Sequence, residues 1–242
     1  MTWVEGMTYS RNQTKQAGKL LRRHELANDE VPDDQRIWAL GVLNAWRQQH
    51  GYPLTKATMA LRKRLQTKSL EGDAAQRLKR RGTIIGKLVR HPRMQLTTMQ
   101  DVAGCRIVLE EAEAVHIFMD GWRVRERLVS VDDYVSQPQP SGYRALHWVV
   151  EYDGLLVEMQ IRTAAQHKWA VGVEQIGASI GCDLKSGVGP EPVLEWLAAV
   201  AEVFAYVDAG RRHPSSLELR VMKLRAPAAS AAREHRRRQQ EG

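Results

Sequence analysis

Residues 155–163 run Leu-Leu-Val-Glu-Met-Gln-Ile-Arg-Thr, an alternation that puts Val157, Met159 and Ile161 on one strand face and Glu158, Gln160 and Arg162 on the other. A half-buried strand ordinarily turns its polar face to water. An acid, an amide and a guanidinium in register can also grip a phosphorylated substrate, through one proton acceptor and several charge-assisted donors. Upstream, residues 145–152 end in Asp153-Gly154, a pair suited to the left-handed conformations of a two-residue hairpin turn. The expected unit is a β-hairpin over 145–162, with His147 opposite Gln160 and Val149 opposite Glu158. His147 then joins the polar face, while Trp148, Val150 and Tyr152 back the apolar one.

Further segments carry residues of the same chemical kind. In Arg77-Leu78-Lys79-Arg80-Arg81-Gly82-Thr83-Ile84-Ile85-Gly86-Lys87-Leu88, cations precede a Gly-Thr pair able to cap a helix running to about Arg90. Backbone N–H groups, Thr83 and Lys87 would then surround one anion; a solvated basic helix is the alternative reading of this stretch alone. It is not a P-loop, because Leu88 stands where Ser or Thr would bind magnesium. Asp101 lies at the entrance of a short strand, 105–109, that carries Arg106; alone, such an aspartate is more often a cap than a metal ligand. The loop from Asp133 to Gly142, broken by Pro138 and Pro140, presents Tyr143 at the hairpin entrance, where its ring could stack on a base or simply pack.

The elements that must position these residues follow from composition and periodicity. At 242 residues and 43% hydrophobic the chain can bury a real core. No apolar run approaches the roughly 20 residues of a membrane span, and Met1 to Ser10 lacks a signal-peptide pattern, so a cytoplasmic protein is expected. Cys105 and Cys182 are too few for a disulfide framework and are expected to be reduced, packed thiols. A net charge of +8 points to polyanionic partners without separating nucleotide, nucleic acid and acidic protein.

Helices are expected over 12–29, 34–50 (through Ile37, Leu40, Leu43 and Trp46) and 54–67, forming an N-terminal helical layer, 1–72, with Trp3, Trp38 and Trp46 in its core. A central domain, 73–210, should hold strands at 105–109 and 122–129, the hairpin, and helices at 112–120, 164–180 and 193–207. From Ala226 the chain is Ala-rich, then Arg-rich, so a frayed helix or disordered basic tail is expected within 211–242. The fold class is α/β (α+β): a mixed β-sheet flanked by helices.

In this order and spacing the segments resemble the synthetase domain of the RelA/SpoT family, the alarmone synthetases, over about residues 73–182. The pattern Arg-x-Lys-x-x-x-Ser-Ile-x-x-Lys is met by Arg77, Lys79, Thr83, Ile84 and Lys87, with Thr in place of Ser. Asp-x-x-Gly-x-Arg is met by Asp101, Gly104 and Arg106, and Gly-Tyr-x-x-Leu-His by Gly142, Tyr143, Leu146 and His147. Glu-x-Gln-x-Arg-Thr is met by Glu158, Gln160, Arg162 and Thr163, and Trp-Ala-x-x-x-Glu by Trp169, Ala170 and Glu174. Each motif is weak alone; their succession is specific.

The resemblance implies a nucleotidyltransferase-like domain that moves the β,γ-pyrophosphate of ATP to a nucleotide 3′-hydroxyl, releasing AMP. It implies that Arg77 and Arg106 sandwich the adenine, that Lys79, Thr83 and Lys87 hold the ATP phosphates, and that Asp101 ligates Mg²⁺. Glu158 would share that metal or take the hydroxyl proton. Tyr143 would stack on the acceptor base, with Arg144, His147, Gln160 and Arg162 shaping the acceptor side. No His-Asp dipeptide occurs, so the family's companion hydrolase activity is not expected.

Members that use GTP or GDP commonly carry cations where this chain has Asp132 and Gln139. Loss of a cation removes a charge-assisted bond, and Asp132 adds repulsion against a 5′-polyphosphate; Arg123, Arg125 or Arg144 would have to compensate. The sequence therefore favours the tRNA 3′ end as acceptor, in the manner of toxic short members silenced by an antitoxin, with GTP or GDP as the alternative. A non-catalytic nucleic-acid-binding protein is disfavoured, because a polyanion binder has no use for Asp101 and Glu158 in its groove.

Overall fold

The computed structural model describes residues 9–26 and 31–241; Trp3 and the end of the first expected helix, 27–29, lie outside them. The chain begins with α1 (Arg11–Glu25), α2 (Asp33–Gln49) and α3 (Gly51–Lys68). It continues through β1 (Asp73–Leu78), α4 (Arg81–Arg90), β2 (Ala103–Leu109), α5 (Ala112–Met119) and β3 (Arg127–Asp133). The hairpin β4 (Leu146–Tyr152) and β5 (Leu155–Thr163) leads into α6 (Ala164–Ile180), α7 (Glu191–Asp208) and α8 (Ser215–Glu241).

Helix starts are written in the sequence. Ser10 and Gln13 form a reciprocal capping box on α1, and Thr163 with Gln166 does the same on α6. The strands form one sheet in the order β1-β2-β5-β4-β3, parallel between β2 and β5 and antiparallel elsewhere. One face, including Ile107, Met159, Ile161 and Val150, packs with α3 and α5 through Leu61 and Phe118. A second core joins α1, α2 and α4 through Leu21, Leu43, Ile84 and Leu88. A third joins α6, α7 and α8 around Trp169, Leu197 and Ala228.

The N-terminal layer is tied to the segments that carry the site's cations. Arg22 donates from Nε to Leu88 O at 2.7 Å, from Nη1 to Pro92 O at 2.5 Å and from Nη2 to Met94 O at 2.5 Å. Arg47 donates from Nε to Lys79 O at 2.8 Å. The mixed sheet and the hairpin register match expectation: His147 pairs with Gln160 and Val149 with Glu158, across a turn with positive φ at both Asp153 and Gly154.

Other expectations are corrected. The strand expected over 122–129 lies at Arg127–Asp133, because Trp122 stacks on Trp148 at 4.9 Å and meets Phe118 edge-on at 5.1 Å. Its apolar neighbours fill core rather than form strand. Strand β1 was invisible: Asp-Ala-Ala-Gln-Arg-Leu lacks alternation because it is an exposed sheet edge. Ile37 is 64% exposed, and the buried stripe of α2 is Ala39, Val42 and Leu43, with Trp38 and Trp46 packed against that core. The C-terminal region is the helix α8, whose Ala228, Ala231 and Ala232 let it approach the third core closely. Its alanines are a packing surface.

Replacing Arg22 with Met should leave carbonyls beyond α4 without donors and cost about 1–3 kcal/mol. The expected result is a lower denaturant midpoint at unchanged m-value; an unchanged midpoint would contradict the clamp.

Candidate functional site

Because paired residues on neighbouring strands share a face, the register alone assembles the site. Arg77 pairs with Gly104, Gly104 with Glu158, Arg106 with Gln160, and Gln160 with His147. Over this polar face lies a cavity of about 230 Å³, whose lining includes Arg77, Asp101, Arg106, Glu158, Gln160 and Arg162. Glu174 of α6 and Lys185, just after it, close its other side. Larger clefts, of about 590 Å³ against the end of α8 and about 450 Å³ beside Pro140, hold none of the residues expected to do chemistry.

At one end sits an ion triad. Asp101 Oδ2 accepts from Lys79 Nζ at 2.5 Å and from Lys87 Nζ at 2.9 Å. Burial pushes the Asp101 carboxyl up, but the two ammonium groups outweigh it and hold it below the usual carboxylate value. Its other oxygen, Oδ1, is buried without a hydrogen-bond partner. An orphaned carboxylate oxygen fits a hard cation such as Mg²⁺. No group of three or more His, Cys, Asp or Glu side chains that could hold a metal occurs among the described residues; Mg²⁺ usually takes only one or two carboxylates and completes its shell with phosphate and water.

In the middle sits Glu158. Oε1 lies 3.2 Å from His147 Nδ1, and Oε2 accepts from Gln160 Nε2 at 2.6 Å. Burial pushes this carboxyl up as well, yet the bonds from His147 and Gln160 leave it below the usual value. Since a carboxylate only accepts, Nδ1 carries a proton toward Glu158, and Nε2 lies 2.7 Å from the Tyr143 hydroxyl oxygen. Glu158 is thus an ionised group of fixed orientation.

At the other end Arg162 is 4% exposed, donates from Nη2 to Gln160 Oε1 at 3.3 Å, and has Nε and Nη1 without partners. Lys185 Nζ lies 4.4 Å over the Tyr143 ring and 3.4 Å from Glu174 Oε1. Tyr143 is 1% exposed, packed near Trp169, and burial pushes its phenol up. The loop before it closes on α7 at Gly142, where φ is +86° and a Cβ would come within 2.3 Å of Ala201 Cβ.

Most expected site residues therefore converge. Arg77, Asp101, Arg106, Glu158, Gln160 and Arg162 line the cavity, while Lys79 and Lys87 reach it through Asp101, His147 through Glu158, and Tyr143 through His147. Tyr143 is not the open platform expected, because Lys185 covers its ring. Arg144 turns away to Ala201 O at 3.3 Å. Thr83 is exposed in the first turn of α4, which begins after Arg80 rather than at the Gly-Thr pair. Arg123 and Arg125 are exposed before β3. Sequence reasoning missed Lys185 altogether: a lone lysine in Asp-Leu-Lys-Ser-Gly carries no local signal. Cys105 is buried, its thiol pushed up to about 12 by burial, as suits a packed, unreactive sulfur.

With this geometry in view, residues 76–177 match the region found in RelA / SpoT proteins. The chain is 29% identical over 148 residues to the GTP pyrophosphokinase YwaC of Bacillus subtilis, covering 54% of this chain and 68% of that one. It is 37% identical over 89 residues to the GTP pyrophosphokinase YjbM of the same organism, covering 33% of this chain and 42% of that one. Among solved structures, small alarmone synthetase 1 of Bacillus subtilis, bound to its product pppGpp, superposes with a TM-score of 0.57 at 26% identity, over 68% of this chain and 90% of that one. Small alarmone synthetase 2 of the same organism gives 0.54 at 25%, over 69% and 92%.

A depressed carboxyl stabilises the fold above its unfolded value, and that contribution is lost as pH falls through the folded one. Asp101→Asn should therefore destabilise the ligand-free protein by about 1–3 kcal/mol at neutral pH, with the gap to wild type closing below about pH 4. Thermal melts across pH read this directly; a gap that persists unchanged at low pH would remove the ion triad as its cause.

Proposed function

We propose, on the premise that residues 76–177 form a RelA/SpoT synthetase region, that the protein is an ATP-dependent pyrophosphokinase whose acceptor is GTP or GDP. The observation that carries this reading is the partly buried, ionised Glu158 flanked within one cavity by cations on both sides. Transfer of a charged phosphoryl group asks mainly for alignment and charge neutralisation, with one group to take a proton.

In this reading Lys79 and Lys87 exchange Asp101 Oδ2 for the phosphates of ATP, helped by Thr83 and the first-turn N–H groups of α4. Arg77 and Arg106, on neighbouring strands, flank the adenine. The acceptor 3′-oxygen attacks the β-phosphorus, the bond from that phosphorus to the α-phosphate oxygen breaks, AMP leaves, and Glu158 takes the hydroxyl proton. His147 and Gln160 hold Glu158 in the orientation this needs. Asp101 Oδ1, buried without a partner, would hold Mg²⁺, which would supply neutralisation of the transferred phosphates' charge.

The sequence favoured a tRNA 3′ end as acceptor. The relatives are named GTP pyrophosphokinases, so the alternative set out above is the better supported, and neither a tRNA acceptor nor an antitoxin partner draws support from them. Among the described residues no helix is long and apolar enough to cross a membrane.

Transfer of label from γ-³²P-ATP to GTP, GDP, ATP or tRNA in the presence of Mg²⁺ tests the reading. Label should appear on GTP or GDP, and Glu158→Gln should slow its appearance by about 10²–10⁴-fold with the melting profile retained. Label on tRNA alone would restore the other acceptor, and full activity in Glu158→Gln would remove the assigned base.

A further inference from the structure

Charge in the cavity is not balanced end to end. The cations at the Lys79 and Lys87 end already hold an anion, Asp101. At the opposite end, four residues further along β5 than Glu158, the Arg162 guanidinium is 4% exposed with Nε and Nη1 unpartnered. Nearby carboxylates do not satisfy it: Glu158 is engaged by His147 and Gln160, and Glu174 meets Lys185 at 3.4 Å. Lys185 itself rests on the Tyr143 ring and meets only the half-exposed Glu174 carboxylate, at a long 3.4 Å.

A buried guanidinium with free donors in a cavity is costly unless an anion arrives. Lys185 is well placed to share that anion, because its segment is fixed from the acceptor side: Ser141, 1% exposed, donates from Oγ to Lys185 O at 2.8 Å. The four-carbon stem lets the ammonium leave the Tyr143 ring while its backbone stays.

We propose that Arg162 and Lys185 form a second anion subsite, separate from the Lys79 and Lys87 end, which takes a 5′-phosphate of the acceptor nucleotide and selects for it. This deepens the pyrophosphokinase reading and rests on it. It also answers the missing cations: Asp132, opposite His147 in the register of β3 on β4, is an acid and Gln139 is uncharged, so the acceptor's phosphate handle comes instead from the turn after α6. Burial holds the Lys185 ammonium below the usual lysine value, which an arriving phosphate would reverse. When Lys185 moves to it, the Tyr143 ring is uncovered at the same time.

The test is Lys185→Met and Lys185→Arg, assayed for transfer to GDP and guanosine and, independently, for calorimetric binding of GDP, guanosine and a non-hydrolysable ATP analogue. Lys185→Met should weaken GDP binding and raise the KM for GDP about tenfold or more, leave the KM for ATP and guanosine binding within about twofold, and erase the preference for GDP over guanosine. Lys185→Arg should recover most of the loss, which a collapsed fold would not. Loss of ATP-analogue affinity instead would assign the anion to the donor, and equal losses for GDP and guanosine would assign Lys185 to the base; either overturns the proposal, as does unchanged GDP binding. If wild type transfers to no acceptor, the pyrophosphokinase reading falls, while GDP binding still reads whether the phosphate subsite exists.

Discussion

The parallel register of β2 on β5 is the constraint on which the site depends. It sets Gly104 beside Glu158 and Arg106 beside Gln160, and through the antiparallel partners it brings Arg77 and His147 onto the same face. Side chains alternate with a period of two, so a slip of one residue would send Glu158, Gln160 and Arg162 into the core with Leu61 and Phe118 and expel Met159 and Ile161. The apolar face therefore fixes the polar one. Packing by α3 and α5 is what makes this register cheap to hold.

On that face the chemistry is arranged as separated charges. Asp101 is shared by two lysines, Glu158 is held by an imidazole and an amide, and Arg162 is left with unfilled donors. Both carboxyls are partly buried, and both nonetheless stay ionised because their partners outweigh burial. Such a site is oriented before substrate arrives, so reorganisation costs little during reaction. Its cost lies in the protein itself, where unsatisfied buried charge opposes folding. The helices outside the sheet serve this arrangement: α1 and α2 anchor the segments around Lys79 and Lys87, and α6 with α7 holds the wall that carries Glu174 and Lys185.

Where the sequence misled, the cause was burial or its absence. β1 has no apolar alternation because it is an exposed edge, and residues 122–124 look strand-like because they fill core beside Trp148. The alanines of α8 read as a segment with little to bury until α6 and α7 supply a surface close enough for small side chains. Tyr143 read as a platform because an aromatic residue beside glycine carries no information about which of its faces is covered.

The sequence by itself determined the hairpin with its register, the mixed sheet and the identity of most residues around the cavity. These depend on local periodicity, turn chemistry and motif spacing, all of which are written along the chain. Only the tertiary structure decided that Lys185, contributed by a turn after α6, covers Tyr143, that Arg144 faces α7, and that Arg162 lacks partners. Those outcomes depend on which distant segments meet across the cavity, and a side chain's charge balance is set by neighbours far from it in sequence.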